Sequence, residues 1–240
     1  MITRSSKKWK CKAGTWDPIN VELLVEMELE GGSMCLNATQ SEYNVEIICN
    51  HYKDIIPGCL VSTFVDDYIL ERFWNHPQNY IERFKPAAAV MSPDFSLLVG
   101  MPEAMIRWQI YKNRFVGAYW AHHGLNVIPT VGWADKESFS YCFDGIKPGS
   151  IVAVSNIGCR NQEARDFFDL GLAALKERIQ PSKIIFKCAK ALRKYYESEN
   201  IVFLNSYWDE KRKNHGRTIR PKQSRPNTTS NTSNSYGQRN

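Results

Sequence analysis

The chain has 240 residues, a hydrophobic fraction of 43% and a formal net charge of +6 at pH 7. This length suits one large α/β domain or two small ones. The sequence has no apolar stretch of the roughly 20 residues that cross a bilayer, and its first residues lack the apolar region of a signal peptide. The seven cysteines form no CxxC pair, which excludes a zinc ribbon or a thioredoxin-type motif. We therefore expect a cytoplasmic protein with reduced thiols.

The positive charge is confined to the two ends of the sequence. Residues 211–240 hold eight Lys or Arg and no acidic residue, and residues 1–12 hold five basic residues and no acidic one. The remaining residues, 13–210, carry 18 basic against 25 acidic side chains, a formal charge of −7. We expect a basic leader at residues 1–16, a single α/β domain at residues 17–210 and a disordered basic tail at residues 211–240.

The basic ends indicate a polyanionic partner. A flexible basic arm attracts phosphate groups without needing a fold of its own. DNA or RNA is therefore the expected partner, and a merely solubilising extension is the alternative. The predicted nucleic-acid-binding residues of the tail are Lys211, Arg212, Lys213, Arg217, Arg220, Lys222 and Arg225.

The first predicted elements lie within residues 20–84. Residues 20–30 alternate apolar and acidic side chains, which slightly favours a strand over a short helix, and residues 44–51 form a second short strand candidate. Residues 59–65 predict a stronger strand, which Asp66 and Asp67 follow directly. An apolar helical face then covers residues 68–84, with an interruption at the His76–Pro77 pair.

Five later stretches share one design, an apolar run that ends on small or polar residues. They cover residues 87–96, 126–135, 150–159, 183–190 and 201–208. Helical patterns at residues 104–123, 161–180 and 189–198, and a short helix or turn at residues 138–145, separate them. Continuous runs rich in Val and Ile are typical of strands that are buried on both faces of a parallel sheet.

The alternation of strands and helices predicts a TIM-barrel-like α/β fold with a closed or partly open, mostly parallel sheet. Sequential crossovers favour this fold because they build a barrel without reversing the strand order. An open doubly wound sheet is the alternative. In both folds ligands bind beyond the carboxyl ends of the strands, so the residues just after each apolar run form the candidate site.

Asp94 is the leading catalytic candidate, because it follows a predicted strand and Pro93 fixes the backbone just before it. A carboxylate there can act as a general base, a nucleophile or an acceptor for a base edge; alternatively it caps the next segment. Asp66 is the second candidate acid, with an N-cap or a solvated turn as its alternative role. Lys187 interrupts an apolar strand and is a candidate Schiff-base or phosphate-binding residue, unless it only reaches to solvent.

The candidate substrate-binding residues also follow predicted strands. Trp133 would offer a flat surface on which a base or sugar stacks, or it would plug the barrel end. Ser155 and Asn156 precede Gly158 and a helix whose amino end could hold a phosphate. Asn205 and Tyr207 follow the last predicted strand. No metal site is predicted, and the residues name no cofactor.

Four segments together carry a family resemblance. They are MSPDFS at residues 91–96, RWQIYKNRFVGAYWAHHG at 107–124, VIPTVGWADKESFSYCFDGI at 127–146 and VAVSNIGC at 152–159. These segments resemble the family called domain of unknown function 4417, over about residues 57–205. Its members occur mostly in phages, plasmids and integrated elements of bacteria. The family's recurrent positions would include Asp94, Trp133, Phe143, Asp144, Gly145, Ser155 and Gly158.

The resemblance implies a protein of a mobile genetic element but names no mechanism. One hypothesis is an enzyme that acts on a nucleotide, nucleobase or nucleic acid at the strand ends. The second is a non-catalytic nucleic-acid-binding replication or accessory protein that uses its basic ends. The third is an anti-defence protein that binds a host factor. The sequence favours the first two jointly and leaves open whether the protein is an enzyme.

Overall fold

The structure, a computed structural model, describes residues 49–53 and 55–204, all of which lie in one compact unit. The strands in this part are β1 (Cys49–His51), β2 (Leu60–Ser62), β3 (Ala89–Met91), β4 (Val127–Ile128), β5 (Ile151–Ser155), β6 (Lys183–Lys187) and β7 (Ile201–Phe203). The α-helices are α1 (Asp67–Asn75), α2 (Ile81–Phe84), α3 (Glu103–His122) and α4 (Gln162–Ile179). Short 3₁₀ helices span Pro77–Tyr80, Glu137–Ser140 and Lys190–Tyr195.

All the described strands run parallel and pair in chain order. One sheet has the order β1-β2-β3-β4 and the other has the order β5-β6-β7. A single parallel bridge between Thr130 and Ala153 connects the two sheets. The α/β class and the parallel pairing are therefore confirmed. The order of the described strands never reverses, unlike that of the doubly wound alternative.

The closed barrel is not seen in the described residues, where β7 and β1 do not pair and the strands form two sheets. The strands are also shorter than the apolar runs predicted. β4 spans only two residues, because Pro129 follows it and has no N–H group to donate to a neighbouring strand. Beyond that point two backbone hydrogen bonds join the chain to β5, each of 2.9 Å. The Val131 N–H donates to the Ala153 carbonyl, and the Ala153 N–H donates to the Pro129 carbonyl.

The two sheets nevertheless curve around a shared apolar cluster. Its buried residues come from five different strands and include no helical residue: Leu60, Ala89, Met91, Ile128, Ile151, Ala153 and Ile185. Side chains alternate between the faces of a strand, so the opposite faces point outwards. There Val61, Val90 and Val127 pack with α1 and α3, while Val152, Val154 and Ile184 pack with α4.

Local signals explain where the helices begin and end. The helical face predicted at residues 68–84 breaks at the His76–Pro77 pair, as expected, into α1, a 3₁₀ turn and α2. Helix α3 ends before Gly124, which has a φ of 84° that favours glycine. Helix α4 begins after Asn161, whose side-chain oxygen accepts a 2.8 Å hydrogen bond from the Ala164 N–H.

Some predictions differ from the structure or lie beyond it. The helix predicted at residues 189–198 is only a six-residue 3₁₀ helix. The strand candidate at residues 20–30, the basic ends and the outer limits of the predicted domain lie outside the described residues. Within residues 49–53 and 55–204, none of the helices has the length and apolar composition needed to span a bilayer.

Candidate functional site

Hydroxyl side chains follow three neighbouring strands and meet in a buried hydrogen-bond network. Thr63, Ser92 and Thr130 come after β2, β3 and β4, and each is almost completely buried. The Thr63 hydroxyl donates to the Ser92 carbonyl at 2.6 Å, and the Thr130 hydroxyl contacts the same carbonyl at 3.1 Å. The Thr130 N–H donates to the Ser92 hydroxyl at 2.9 Å. These contacts tie the carboxyl ends of the three strands together.

Asn113 of α3 completes this network. Its amide nitrogen donates to the Thr130 hydroxyl and to the Pro93 carbonyl, both at 2.6 Å. Its amide oxygen accepts from the Ser92 hydroxyl at 3.0 Å. The carbonyls of Ser92 and Pro93, which immediately precede Asp94, are thus both held by buried donors. The backbone that carries Asp94 is therefore fixed from below.

Arg114 lies beside Asn113 as a buried cation. Its guanidinium donates to backbone carbonyls of Thr130 at 3.1 Å, Cys142 at 2.8 Å and Asp144 at 3.0 Å, and to the Asn113 amide oxygen at 2.6 Å. Burial lowers the pKa of Arg114 to about 10, so the side chain stays charged at neutral pH. We call Thr63, Ser92, Asn113, Arg114 and Thr130 the strand-end network.

Asp94 lies on top of the strand-end network and is only partly exposed. Burial raises the pKa of its carboxyl to about 7, with the Lys187 ammonium lowering it and the Asp67 carboxylate raising it further. Such a carboxyl exists in both protonation states at neutral pH, so it can accept or donate a proton there. The leading candidate of the sequence therefore has the electrostatics of a general acid or base.

Of the two acidic residues after β2, the structure places Asp67 rather than Asp66 beside Asp94. Asp66 is exposed at the start of α1, and its side chain makes no capping hydrogen bond. The Asp67 carboxylate accepts hydrogen bonds from the Ser96 hydroxyl at 3.0 Å and the Ser96 N–H at 3.2 Å. Asp67 thereby connects α1 to the loop that carries Asp94.

The Lys187 side chain extends from the second sheet towards Asp94. It is the last residue of β6, where it pairs with Ser155 of β5. Its ammonium donates to the Phe64 carbonyl, just beyond β2, at 3.0 Å. A single side chain spans this distance because the sheets curve. The structure thus brings together Asp94 and Lys187, two of the three predicted catalytic residues, and adds Asp67.

A small hollow of about 10 Å³ opens beside Asp94. We call it the Asp94 hollow; it is lined by Asp94, Phe95, Leu97, Gln109, Ile110, Asn113, Arg114, Thr130 and Gly132. This volume suits one water molecule, so a substrate would contact the site from its open side.

Trp133 lies away from this hollow, in the core between the second sheet and α4. Its ring is 8% exposed and packs against Phe143 and Phe168. It leaves so little room that a Cβ added to Gly171 would lie 2.1 Å from the ring. This position favours the packing interpretation of Trp133, and its stacking role stays a prediction.

Ser155 and Asn156 occupy opposite faces at the end of β5. The Ser155 hydroxyl accepts a weak 3.4 Å hydrogen bond from the Ile157 N–H. Asn156 is 2% exposed and lies on the outer face, near Cys188 and Tyr196. Within the described chain, neither amide atom of Asn156 has a hydrogen-bond partner of normal geometry. Both residues stay predicted substrate-binding residues, but Asn156 does not face Asp94.

The other predicted site residues lie outside the described part of the chain. They are Asn205, Tyr207, Lys211, Arg212, Lys213, Arg217, Arg220, Lys222 and Arg225. In the described part, no group of three or more His, Cys, Asp or Glu side chains is arranged to hold a metal ion.

The sequence interpretation missed the role of α3. The pattern of this helix predicts an aromatic helix, whereas three consecutive polar residues in its middle, Lys112, Asn113 and Arg114, are all buried. The Lys112 ammonium pairs with Glu71 of α1 at 2.5 Å and lies 4.0 Å from the centre of the Phe95 ring. The polar triplet inside an otherwise apolar helix could have indicated this role, because a buried charge needs hydrogen-bond or ionic partners.

The comparisons with known proteins agree with the resemblance of the central segments. Two relatives are named Gene 1 protein. The protein from Mycobacterium phage L5 is 33% identical, over 88% of this chain and 94% of its own length. The protein from Mycobacterium phage D29 is 32% identical, over 88% of this chain and 80% of its own length. No solved structure matches. The family described as a domain of unknown function (DUF4417) matches residues 37–207, which include the strand-end network, Asp67, Asp94 and Lys187. The chain therefore belongs to the DUF4417 family, whose relatives here are phage proteins.

Proposed function

We propose that this protein is an enzyme that acts on a nucleotide or nucleic acid by acid–base catalysis at the carboxyl ends of its strands. One observation carries the proposal: a half-buried carboxyl with a pKa of about 7 interacts with a lysine ammonium and a second carboxylate. Groups with such perturbed pKa values, gathered at strand ends, are typical of catalytic sites.

In this proposal each of the three charged residues has a separate role. Asp94 transfers the proton. Lys187 lowers the pKa of Asp94 and supplies a positive charge for a phosphate or a developing oxyanion. Asp67 raises the pKa of Asp94 and, through Ser96, holds the loop in place. The strand-end network keeps the Asp94 backbone rigid, which favours catalysis because little reorganisation is then needed.

The nucleotide or nucleic-acid substrate class is supported by charge. The first 12 residues and the last 30 carry 13 basic residues and no acidic ones, around an acidic body. Basic arms of this kind concentrate polyanions near a protein. The Lys187 ammonium, which interacts with Asp94, matches the phosphate of such a substrate.

The test is a conversion assay with the full chain and a mixture of nucleotides and oligonucleotides, followed by mass spectrometry. We expect Asp94→Asn to lower turnover by at least about 100-fold, as the loss of a general acid or base does. Lys187→Met should also lower turnover, whereas Lys183→Met, at the amino end of the same strand, should not.

Asp166→Asn is the matched control for Asp94→Asn, because Asp166 is exposed on α4. The proposal fails if the wild-type chain converts no member of the mixture. It fails equally if Asp94→Asn retains wild-type turnover.

The charge distribution also favours a second function, non-catalytic binding of nucleic acid through the basic ends. Truncation after Glu210 removes eight of the basic residues. In this case the truncated chain should lose salt-sensitive binding of DNA and RNA in an anisotropy titration, while Asp94→Asn binds like the wild type. Unchanged binding after truncation would rule out the tail as the binding element.

A further inference from the structure

The Asp94 hollow contains a buried hydrogen-bond acceptor that no protein group satisfies. Gln109 of α3 lies one helical turn before Asn113 and lines the hollow together with Asp94. Its amide oxygen is buried and has no hydrogen-bond partner among the described residues. Buried acceptors are normally paired, so an unpaired one in a residue that lines a hollow indicates a missing donor.

The polar groups beneath the hollow do not bond to the Gln109 amide oxygen. The Asn113 amide nitrogen already donates to Pro93 and Thr130. The Arg114 guanidinium donates to the carbonyls of Thr130, Cys142 and Asp144. These groups are committed to the strand-end network. A molecule that enters the hollow would supply the donor for Gln109.

The size and lining of the hollow identify that molecule. About 10 Å³ is the space of one water molecule. Phe95, Leu97 and Ile110 supply apolar walls, while the Asp94 carboxyl and the Gln109 amide oxygen supply two acceptors. Water has two hydrogens to donate and needs two or more polar partners when buried.

We propose that the Asp94 hollow binds one water molecule, held by the Asp94 carboxylate and the Gln109 amide oxygen, and that this water is the nucleophile of a hydrolytic reaction. The inference rests on the proposed function and names its reaction class. Gln109 is a positioning residue in this scheme, because it turns the water so that a lone pair points out of the hollow.

The proposed step balances as a hydrolysis. Asp94 in its carboxylate form removes one proton from the water while the water oxygen forms a bond to the electrophilic atom of the substrate. The bond to the leaving group breaks, and its electron pair stays with that group. The proton on Asp94 then passes to the leaving group, so one water is consumed and the carboxylate is restored. The Asp94 pKa of about 7 allows both transfers at neutral pH.

The first test needs no substrate. A high-resolution crystal structure of the full chain should show a water within hydrogen-bond distance of both Asp94 and Gln109. Gln109→Met, which keeps the size of the side chain and removes the acceptor, should lower the melting temperature by about 2–4 °C. Gln162→Met, at an exposed position of α4, is the matched control and should leave it unchanged.

If the hollow contains no water, the change in melting temperature should have the opposite sign. Removing an unsatisfied buried acceptor would then stabilise the protein. A higher melting temperature for Gln109→Met, or a crystal structure without water at this position, overturns the inference. The crystal structure of the wild-type chain decides the question even if the variant does not fold.

The second test separates this inference from the proposed function. Turnover in water labelled with ¹⁸O should place one labelled oxygen in the product, and Gln109→Met should reduce turnover at least tenfold. Conversion of a nucleotide without incorporation of the label would overturn the hydrolytic inference and leave the proposed function intact. An ordered water in a chain that converts no nucleotide would support the water site and overturn the proposed function.

Discussion

The two sheets end in different chemistry, although both are built from parallel strands with helices on one side. The strands of the first sheet end in Thr63, Ser92 and Thr130, whose polar groups are paired with one another and with Asn113. In the second sheet, β5 is followed by Asn156, whose amide has no hydrogen-bond partner of normal geometry in the described chain and lies among aromatic residues. The first sheet therefore holds the residues around Asp94 rigid. The second sheet contributes the charge of Lys187 and an apolar core.

The largest expected effect is on the free energy of unfolding and comes from replacing Asp94. Burial raises the pKa of Asp94 from 3.8 to about 7, so the folded protein favours the protonated form. This contribution to stability is complete below pH 4 and is lost as the pH rises towards 7. Asp94→Asn, which stays neutral, should therefore be more stable than the wild type at pH 8. The upper limit is about 4 kcal/mol, at 1.36 kcal/mol per pH unit.

Urea unfolding at several pH values measures this difference. The advantage of Asp94→Asn should shrink below pH 6 and vanish near pH 4. Asp166→Asn, at an exposed position, should show no such pH dependence. A variant no more stable than the wild type at pH 8 would mean that the carboxyl is well solvated, and the site would lose its central feature.

The second effect compares the two buried asparagines by the same substitution. Asn113→Leu removes the donor to the Pro93 carbonyl and one hydrogen bond from each of the hydroxyls of Ser92 and Thr130. We expect a loss of about 3 kcal/mol in the free energy of unfolding. Asn156→Leu breaks no hydrogen bond of normal geometry and should change stability by less than about 1 kcal/mol. Equal losses in chemical denaturation would contradict the contrast between the two sheets.

The smallest effect tests packing in the second sheet. Gly171→Ala places a methyl group inside contact distance of the Trp133 ring, so the ring or α4 must shift. We expect a loss of about 2 kcal/mol, typical of overpacking in a core. Gly158→Ala is the control, because Gly158 is exposed with open space around it, and it should change stability by less than about 0.5 kcal/mol. A melting curve of Gly171→Ala that matches the wild type would show that Trp133 moves freely and is available for stacking.

Much of the fold was predictable because strands buried on both faces leave continuous apolar runs in the sequence. The runs around Val90, Val154 and Ile185 became β3, β5 and β6, and Gly124 marked the end of α3. The length of β4 could have been predicted, because Pro129 is visible in the sequence and has no N–H group to donate to a neighbouring strand. Barrel closure depends on pairing between distant strands, about which local patterns carry no information.

The site was predictable only in part, for a related reason. Asp94 and Lys187 stand out because each is a charge at the end of an apolar run. The choice between Asp66 and Asp67 depends on which side of α1 faces Ser96, about 30 residues further along the chain. Arg114 binds backbone carbonyls on other segments, and Gln109 meets the Asp94 hollow only because α3 packs across the strand ends. The apolar pattern of α3 conceals both residues.

The polar triplet of α3 has a consequence for how this family can vary. Consecutive residues of a helix point about 100° apart, so the three side chains contact different neighbours. Lys112 contacts α1, Asn113 contacts the strand ends, and Arg114 contacts the segment around Cys142. Deleting one residue of α3 between its start and the triplet would rotate all three side chains about the helix axis. Each neighbour would then meet the wrong side chain. Homologous chains should therefore differ in length at their loops and keep the number of residues between the start of this helix and its triplet.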